Sequence, residues 1–411
     1  SKNSSLLNFG INWCINLVRG VTGKPKDSTF AEKLAGADSL TVNCRISFKQ
    51  IRQKCAEALT YYGSRHYETT KWKDIDRIRP ERDEDLIKIL NGILLAELHE
   101  GTPSDEFHLA CDGIEDHENV QYYSYSTDET IEDSSLEVQR YLSTVDDMST
   151  LTIDDLQSHR ILIKYATSDA VVPKSSVYET IQWGTEYRGR FYVISGGVWF
   201  GIETDWAKKV LTTIGGIKAP ISGLVDPGRH ITEPAFNATA TSLDPDNLLV
   251  CLDRKMVQGP TMTTQIELCD ILGTKKVLYF VKPTTDVEAL SYLFTQVRAG
   301  CLAFLNDREA RRQARQHIRD VLQSSGRGSE LARFLAVVPE EQPAAAEYEV
   351  VLGIIKEKQP RWPRDISFLA LASLAELYDT IMAHGFRAFS LQCLDTRLRS
   401  SVIVRRPATS R

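Results

Sequence analysis

The residues best suited to chemistry lie in the second half of the chain, at the ends of short apolar runs. Asp253 follows the run NLLVCL, Asp270 lies near the end of TQIELCDIL, and Lys282 comes near the end of KKVLYFVKP. Carboxylate oxygens are the ligands that Mg²⁺ and Mn²⁺ prefer, and a lysine can stabilise negative charge that develops on a phosphate. These residue types indicate a metal-assisted reaction at a phosphate, provided that the fold brings them together.

A set of helices and strands must position these side chains. Hydrophobic periodicity over the second half predicts the order helix, three strands, helix, strand, helix, strand. Strands first, with helical crossovers after them, predict a mixed α/β sheet in a chain that is α+β overall. The predicted ranges are 231–242, 247–257, 264–272, 275–283, 286–305, 348–355, 371–385 and 386–394.

This order, with these polar residues, resembles the core of the PD-(D/E)XK nucleases. In that superfamily a carboxylate on one strand and an acid-x-Lys on the next bind a divalent metal ion, and flanking helices add a Glu and a Gln. The resemblance implies Mg²⁺ or Mn²⁺ as cofactor, which polarises the scissile phosphate. It implies Asp253, Asp270, Lys282, Glu233 and Gln296 as catalytic residues, and Asp253, Glu267 and Asp270 as metal ligands.

Two assignments of the acid-x-Lys remain open. In the first, Asp270 is the central carboxylate and Lys282 the lysine; in the second, residues 253–255 (Asp-Arg-Lys) are the motif themselves. We favour the first, because Lys282 lies on the predicted strand that immediately precedes the long helix. Phe280 stands where the superfamily has an acid, so either another carboxylate substitutes in space or the site is inactive. The simpler alternative is that these are ordinary polar residues of solvent-facing strands.

Longer stretches resemble a sporadically distributed bacterial family of unknown function, often found near restriction-modification genes. The family usually has His-Val-Lys where this chain has Phe280-Val281-Lys282, and its usual form extends further at the N-terminus. The resemblance implies a role in anti-phage defence or a mobile element, with a partner protein of such a system, and no established reaction. The matching stretches are INWCINLVRGVTGKP, FHLACDGIED, YRGRFYVISGGVWF, EPAFNATATS, LLVCLDRKMV with IELCDIL, VLYFVKP, LSYLFTQVRAG and YEVVLGII.

A series of arginines predicts nucleic acid as a partner, with DNA favoured over RNA. Arginines recur along 308–319 at helical spacing, which places them on one face of a helix. Such a face can follow a phosphate backbone. The alternative is an ordinary solvated helix face, whose charge is partly neutralised by neighbouring acidic residues. A basic tail after Leu394 adds to the positive charge. The predicted contacts are Lys255, Arg308, Arg311, Arg312, Arg315 and Arg319.

Length and charge predict three regions. The 411 residues leave room for two or three domains, and we expect an N-terminal α+β region over 1–155, a hairpin-containing region over 156–225, and the nuclease-like α/β domain over 226–411. The net charge of −6 conceals an acidic segment, 104–155, with 15 acidic residues and the single basic residue Arg140. That composition predicts a solvated, partly flexible segment.

Composition excludes several classes of protein and leaves three functional hypotheses. No apolar run is long enough to cross a membrane, no secretory pattern opens the chain, and the eight cysteines are scattered. We therefore expect a cytoplasmic protein with reduced thiols and no membrane partner. The hypotheses are a nucleic-acid-binding defence protein with a degenerate nuclease-like site, an active metal-dependent DNA or RNA endonuclease, and a protein-interaction module or toxin component.

Overall fold

The computed structural model describes most of the chain as a mixed α+β protein with several sheets. Within those residues no helix combines the length and apolar character needed to span a membrane, and the seven described cysteines are free. The residues described are 21–25, 29–36, 40–64, 77–104, 106–111, 120–133, 136–166, 168, 170–229, 231–244, 246, 248–260, 264–283, 287–359 and 361–397.

The first half carries three antiparallel sheets, whose strand orders are β1-β2-β3, β4-β12-β11-β10-β5 and β7-β6-β8-β9. The strands are β1 (Val21–Gly23), β2 (Lys33–Gly36), β3 (Leu40–Asn43), β4 (Ile78–Pro80), β5 (His108–Leu109), β6 (Val120–Tyr125), β7 (Asp128–Asp133), β8 (Arg160–Tyr165), β9 (Val171–Ser176), β10 (Ile181–Tyr187), β11 (Arg190–Ser195) and β12 (Val198–Ile202). The helices are α1 (Ile51–Gly63), α2 (Glu84–His99), α3 (Val138–Leu142), α4 (Ile153–Ser158), α5 (Val177–Thr180) and α6 (Thr204–Gly216).

Local sequence explains two of these elements. The turn of the β11–β12 hairpin is Gly196-Gly197, and both residues have positive φ, as the tight turns that match strand twist require. Helix α6 begins at Thr204, with Glu203 as its N-cap residue and Asp205 in its first turn. The hairpin expected within 156–225 is present as β11–β12.

The acidic segment 104–155 is more ordered than its composition predicts. Its described residues form β5, β6, β7, α3 and the start of α4. Tyr125, Tyr141 and Leu151 are buried in one apolar cluster. The described acidic side chains lie around these positions and are exposed or half-buried, in agreement with a solvated acidic surface. Residues 112–119 lie outside the described part.

The second half builds one five-stranded mixed sheet with the order β13-β16-β17-β18-β19. The first three strands are antiparallel, and β17, β18 and β19 are parallel. A separate small hairpin, β14-β15, lies beside them. The strands are β13 (Leu249–Cys251), β14 (Met256–Val257), β15 (Ile266–Glu267), β16 (Ile271–Gly273), β17 (Val277–Lys282), β18 (Glu349–Lys356) and β19 (Ala388–Asp395). The helices are α7 (Glu233–Ser242), α8 (Val287–Asn306), α9 (Arg308–Ser324), α10 (Leu331–Val337) and α11 (Phe368–Ala383).

Two predicted strands are interrupted where the polar residues lie. The strand expected over 247–257 stops at Cys251 and turns at Arg254, whose φ is +60°. The strand expected over 264–272 divides into β15 and β16, and Asp270 precedes β16 directly. The order of elements agrees with the prediction, whereas Asp253 and Asp270 lie in the breaks rather than within strands.

Apolar packing crosses the predicted boundary at 225. Phe200 and Val210 belong to the same buried cluster as Phe280 and Leu371, and Phe191 and Trp206 both lie edge-on to Phe368. Helix α6 therefore packs with the C-terminal sheet. The division into three regions stays a prediction, but its second boundary does not separate two apolar cores.

We predict that His108 makes the fold sensitive to acid. Its Nε2 is buried without a partner, and burial, followed by the positive charge of Lys356, lowers the pKa of His108 from 6.5 to about 4. Below pH 6.5 the unfolded chain binds a proton that the folded chain does not, so the free energy of unfolding falls as the pH drops. The His108 contribution is about 2 kcal/mol between pH 6.5 and 5.

Urea denaturation at the two pH values measures this effect. His108→Gln should flatten the dependence, whereas the same substitution at the exposed His384 should leave it unchanged. Equal pH dependence in wild type and His108→Gln would contradict the prediction.

Candidate metal centre

Three carboxylates from three separate elements converge at one end of the C-terminal sheet. Oxygen atoms of Glu233, Asp253 and Asp270 all lie within 4.8 Å of one another. Glu233 is the first residue of α7, Asp253 lies in the turn after β13, and Asp270 precedes β16. The amide of Leu252 donates a hydrogen bond to the carbonyl of Asp270 (2.7 Å), which fixes the turn of Asp253 against the start of β16.

Asp270 is the most buried member, with 0% of its surface exposed. One of its oxygens, Oδ2, accepts a hydrogen bond from the amide of Val281 (2.6 Å), and Oδ1 accepts one from Nε2 of Gln296 (3.2 Å). Burial, with the added repulsion of the Glu233 carboxylate, raises the pKa of Asp270 well above its ordinary value. Donors therefore hold the Asp270 side chain in position beside other carboxylates, and a cation bound there would offset their mutual repulsion.

Lys282 completes the cluster from the last position of β17. Its Nζ lies 2.8 Å from Oε2 of Glu233, and both side chains are about 15% exposed (15% and 14%). The alternative lysine, Lys255, is exposed in the turn that follows Asp253. Lys282 and Asp270 both lie beside Glu233, and the choice between the two assignments stays a prediction.

Glu267 lies beside the three carboxylates and has a different set of partners. Its Oε1 accepts a hydrogen bond from the amide of Arg254 (2.7 Å), and its Oε2 accepts one from Nε2 of Gln296 (2.5 Å). Burial raises the pKa of Glu267. Because both of its oxygens are already bonded to protein donors, Glu267 fixes the turn of Asp253 and the amide of Gln296. Glu267 is not one of the three converging carboxylates, and its role as a metal ligand stays a prediction.

Phe280 takes the place of the expected acid and serves the core. It is fully buried, and its ring packs against Gly300 of α8. A Cβ at Gly300 would lie 2.6 Å from the carbonyl oxygen of Leu268, so only glycine lets α8 approach this closely. That approach brings Gln296, one turn earlier on α8, to Glu267 and Asp270.

We expect Gly300→Ala to destabilise the protein by about 1–3 kcal/mol, because α8 must move away from the carbonyls of Glu267 and Leu268. The shift also carries Gln296 away from the carboxylates. Gly92→Ala is the matched control, since nothing lies within 4 Å of a Cβ at that helical position. It should stabilise by about 0.5–1 kcal/mol. Chemical denaturation measures both, and a neutral Gly300→Ala would contradict this packing argument.

The arginines of α9 divide into two groups rather than forming one exposed face. Arg311 is 3% exposed and donates hydrogen bonds to the carbonyls of Phe304 and Leu305 (2.8 and 3.2 Å) at the end of α8. Arg315 donates to the carbonyls of Leu335 and Val338 (2.8 and 2.6 Å) around the end of α10. Both therefore satisfy helix C-termini, where a positive charge is favourable. Arg311 and Arg315 therefore bind carbonyls of the protein itself, and their contact with nucleic acid stays a prediction.

The remaining predicted contacts are accessible. Arg308 and Arg312 have side chains 71% and 70% exposed, paired with Glu341 and Glu309. Arg319 is half-buried, with Gln316 as its partner, and Lys255 is exposed. In the basic tail, Arg397 pairs with Asp395, and Arg399, Arg405, Arg406 and Arg411 lie outside the described residues. Arg308, Arg312 and Lys255 are therefore the most accessible of the predicted contacts.

This division predicts a large loss of stability at one arginine and almost none at its neighbour. Arg311→Met should lower the free energy of unfolding by about 2–3 kcal/mol, because buried carbonyls lose a charged donor. Arg312→Met should leave it close to the wild-type value, since its ion pair is exposed. Urea denaturation of the two variants measures the difference. Equal free energies of unfolding would contradict the structural role given to Arg311.

The comparisons with known proteins place the chain in a family. Residues 1–394 match the model of a family of unknown function, DUF6119, and the chain belongs to that family. No curated protein and no solved structure matches the chain.

Three residues of the site region were missed by the sequence analysis. They are Gly300, Arg254, whose amide binds Glu267, and Tyr292, whose ring lies beside Lys282 at 5.4 Å from centroid to Nζ. A glycine inside a long apolar helix was a usable signal for close packing. Tyr292 precedes Gln296 by four residues, which places both on one face of the helix. Arg254 gave no signal, because its contact uses the backbone.

Proposed function

We propose that the protein is a metal-dependent phosphodiester hydrolase acting on nucleic acid, with DNA as the favoured substrate. The observation that carries the proposal is the convergence of Glu233, Asp253 and Asp270 with Lys282. Three hard oxygen donors suit a divalent ion such as Mg²⁺ or Mn²⁺, and the lysine suits a bound phosphate. A bound ion would supply polarisation of a phosphate oxygen and a more acidic water.

The chain's own residues supply orientation and charge. Asp270 is held by the amide of Val281 and by Gln296, so its carboxylate is positioned before any ligand arrives. The Nζ of Lys282 lies close enough to the carboxylates to hold a water or to stabilise charge on a phosphate oxygen. Glu267 binds the amide of Arg254 and the side chain of Gln296, so it fixes the turn of Asp253 relative to helix α8.

The arrangement is similar to a PD-(D/E)XK core in which one acid has moved. A helix with Glu233, antiparallel strands, a lysine on β17 and a helix with Gln296 follow in the superfamily's order. Asp253, in the turn after β13, takes the place that Phe280 leaves without an acid. A setting in anti-phage defence or in a mobile element, with a partner protein, is part of the proposal and rests on the family resemblance.

A second candidate is a nucleic-acid-binding protein whose nuclease-like site no longer reacts. Phe280 favours it, because that position packs into the core instead of providing a ligand. Under this candidate Lys255, Arg308, Arg312 and Arg319 bind the backbone without cleavage.

One paired assay tests both candidates. Single- and double-stranded DNA and RNA are incubated with the protein and Mg²⁺, Mn²⁺ or EDTA, then run on native and denaturing gels. Cleavage that requires the metal is the expected result. A mobility shift that weakens steeply with salt, without cleavage, would favour the second candidate. If the protein neither shifts nor cleaves any of these nucleic acids, both candidates are overturned.

A further inference from the structure

An exposed aromatic ring stands at the edge of the proposed metal centre. Tyr292 is 63% exposed, although it lies on α8, where the neighbouring Ser291, Leu293 and Phe294 are buried. A tyrosine this exposed contributes little to the core. Its ring lies beside Lys282, whose Nζ is 5.4 Å from the ring centroid.

Lys282 connects the ring to the carboxylates. The same Nζ lies 2.8 Å from Glu233, which belongs to the group with Asp253 and Asp270. Gln296, one turn further along the same face of α8, contacts Asp270 directly. A phosphate bound at the carboxylates would therefore have its adjoining nucleotide within reach of the Tyr292 ring.

We infer that Tyr292 forms a stacking subsite for an unpaired base next to the scissile phosphate, an inference that rests on the proposed function. Aromatic faces bind bases of any sequence, but a base within a duplex already stacks on its neighbours. The subsite thus selects single-stranded nucleic acid, or a strand end or junction where a base is unstacked.

The inference is tested by comparing cleavage of DNA that has, or lacks, the base next to the scissile phosphate. The wild-type cleavage position is mapped on a single strand, and the flanking nucleotides are then replaced one at a time by abasic ones. Wild type should cleave the single strand faster than the same strand in a blunt duplex. Tyr292→Ala should lower kcat/KM on the single strand about tenfold, the value of one stacked base. Tyr292→Phe and Tyr292→Trp should retain it.

The abasic substrates separate stacking from an indirect effect on Lys282. If Tyr292 stacks on a base, one abasic position lowers wild-type cleavage about tenfold and leaves Tyr292→Ala unaffected. If the ring only positions Lys282, Tyr292→Ala loses the same factor on both substrates, and the inference is overturned. Tyr62→Ala, an 84% exposed tyrosine on α1, is the control and should match wild type.

The two proposals fail in distinguishable ways. If wild type shows metal-dependent cleavage and Tyr292→Ala has the same kcat/KM on the single strand, only the stacking subsite is overturned. If wild type binds DNA without cleaving it, the proposed hydrolase fails, and the dissociation constants for intact and abasic strands still test Tyr292 by the same comparison. If wild type neither binds nor cleaves, both are overturned.

Discussion

Asp270→Asn is expected to reduce metal-dependent cleavage about a thousandfold or more. Asp270 is the buried member of the three converging carboxylates, and losing a metal ligand removes several kcal/mol of transition-state stabilisation. Asparagine keeps the size of the side chain and an oxygen that can accept the hydrogen bond of the Val281 amide. The loss should therefore come from chemistry rather than from unfolding.

The cleavage rate with Mn²⁺ at saturating substrate measures the loss of activity, and circular dichroism shows whether the variant is folded. The matched control is Asp379→Asn, an exposed carboxylate on α11, which should cleave as wild type does. An Asp270→Asn protein that is folded and cleaves at the wild-type rate would remove Asp270 from the site.

The second large effect is expected in stability, and it has opposite signs with and without metal. In EDTA, Asp270→Asn should melt above wild type, because a carboxylate buried beside Glu233 and Glu267 is replaced by a neutral group. With Mn²⁺ at 100 times its dissociation constant, wild type should gain about 2.7 kcal/mol. Asp270→Asn should gain much less.

The dependence on pH has a definite sign. The pKa of Asp270 is raised, so the metal-free folded chain holds a proton that the unfolded chain releases. The stability of the metal-free protein therefore falls as the pH rises above the ordinary aspartate pKa. Because the ion must displace that proton, the Mn²⁺-induced rise in Tm should be larger at pH 8 than at pH 5.5. A rise that is equal at both pH values, or equal in Asp270→Asn, would contradict this account.

The sequence predicted the residues of the site better than their exact positions. Lys282 and Gln296 were found because β17 and α8 are long and strongly apolar, so their ends and faces follow from the pattern alone. Asp253 and Asp270 were assigned to strands, but lie in breaks. The turn at Arg254 uses a positive φ in a residue other than glycine, which no local pattern indicates.

Glu267 and the α9 arginines show a second limit. Arg308 and Arg312 are exposed on α9, whereas the partners of Arg311 and Arg315 are the ends of α8 and α10. Likewise, Glu267 lies beside the three converging carboxylates, where its oxygens accept hydrogen bonds from the Arg254 amide and from Gln296. Residue type and spacing give the chemistry that a side chain can perform, whereas tertiary packing decides which partner it meets.

A crystal grown with Mn²⁺ and measured at the manganese absorption edge is the most direct test of the proposed metal centre. The account predicts an anomalous peak between the carboxylates of Glu233, Asp253 and Asp270, and its absence in Asp270→Asn. A fully soaked wild-type crystal with no peak at these three residues would contradict it.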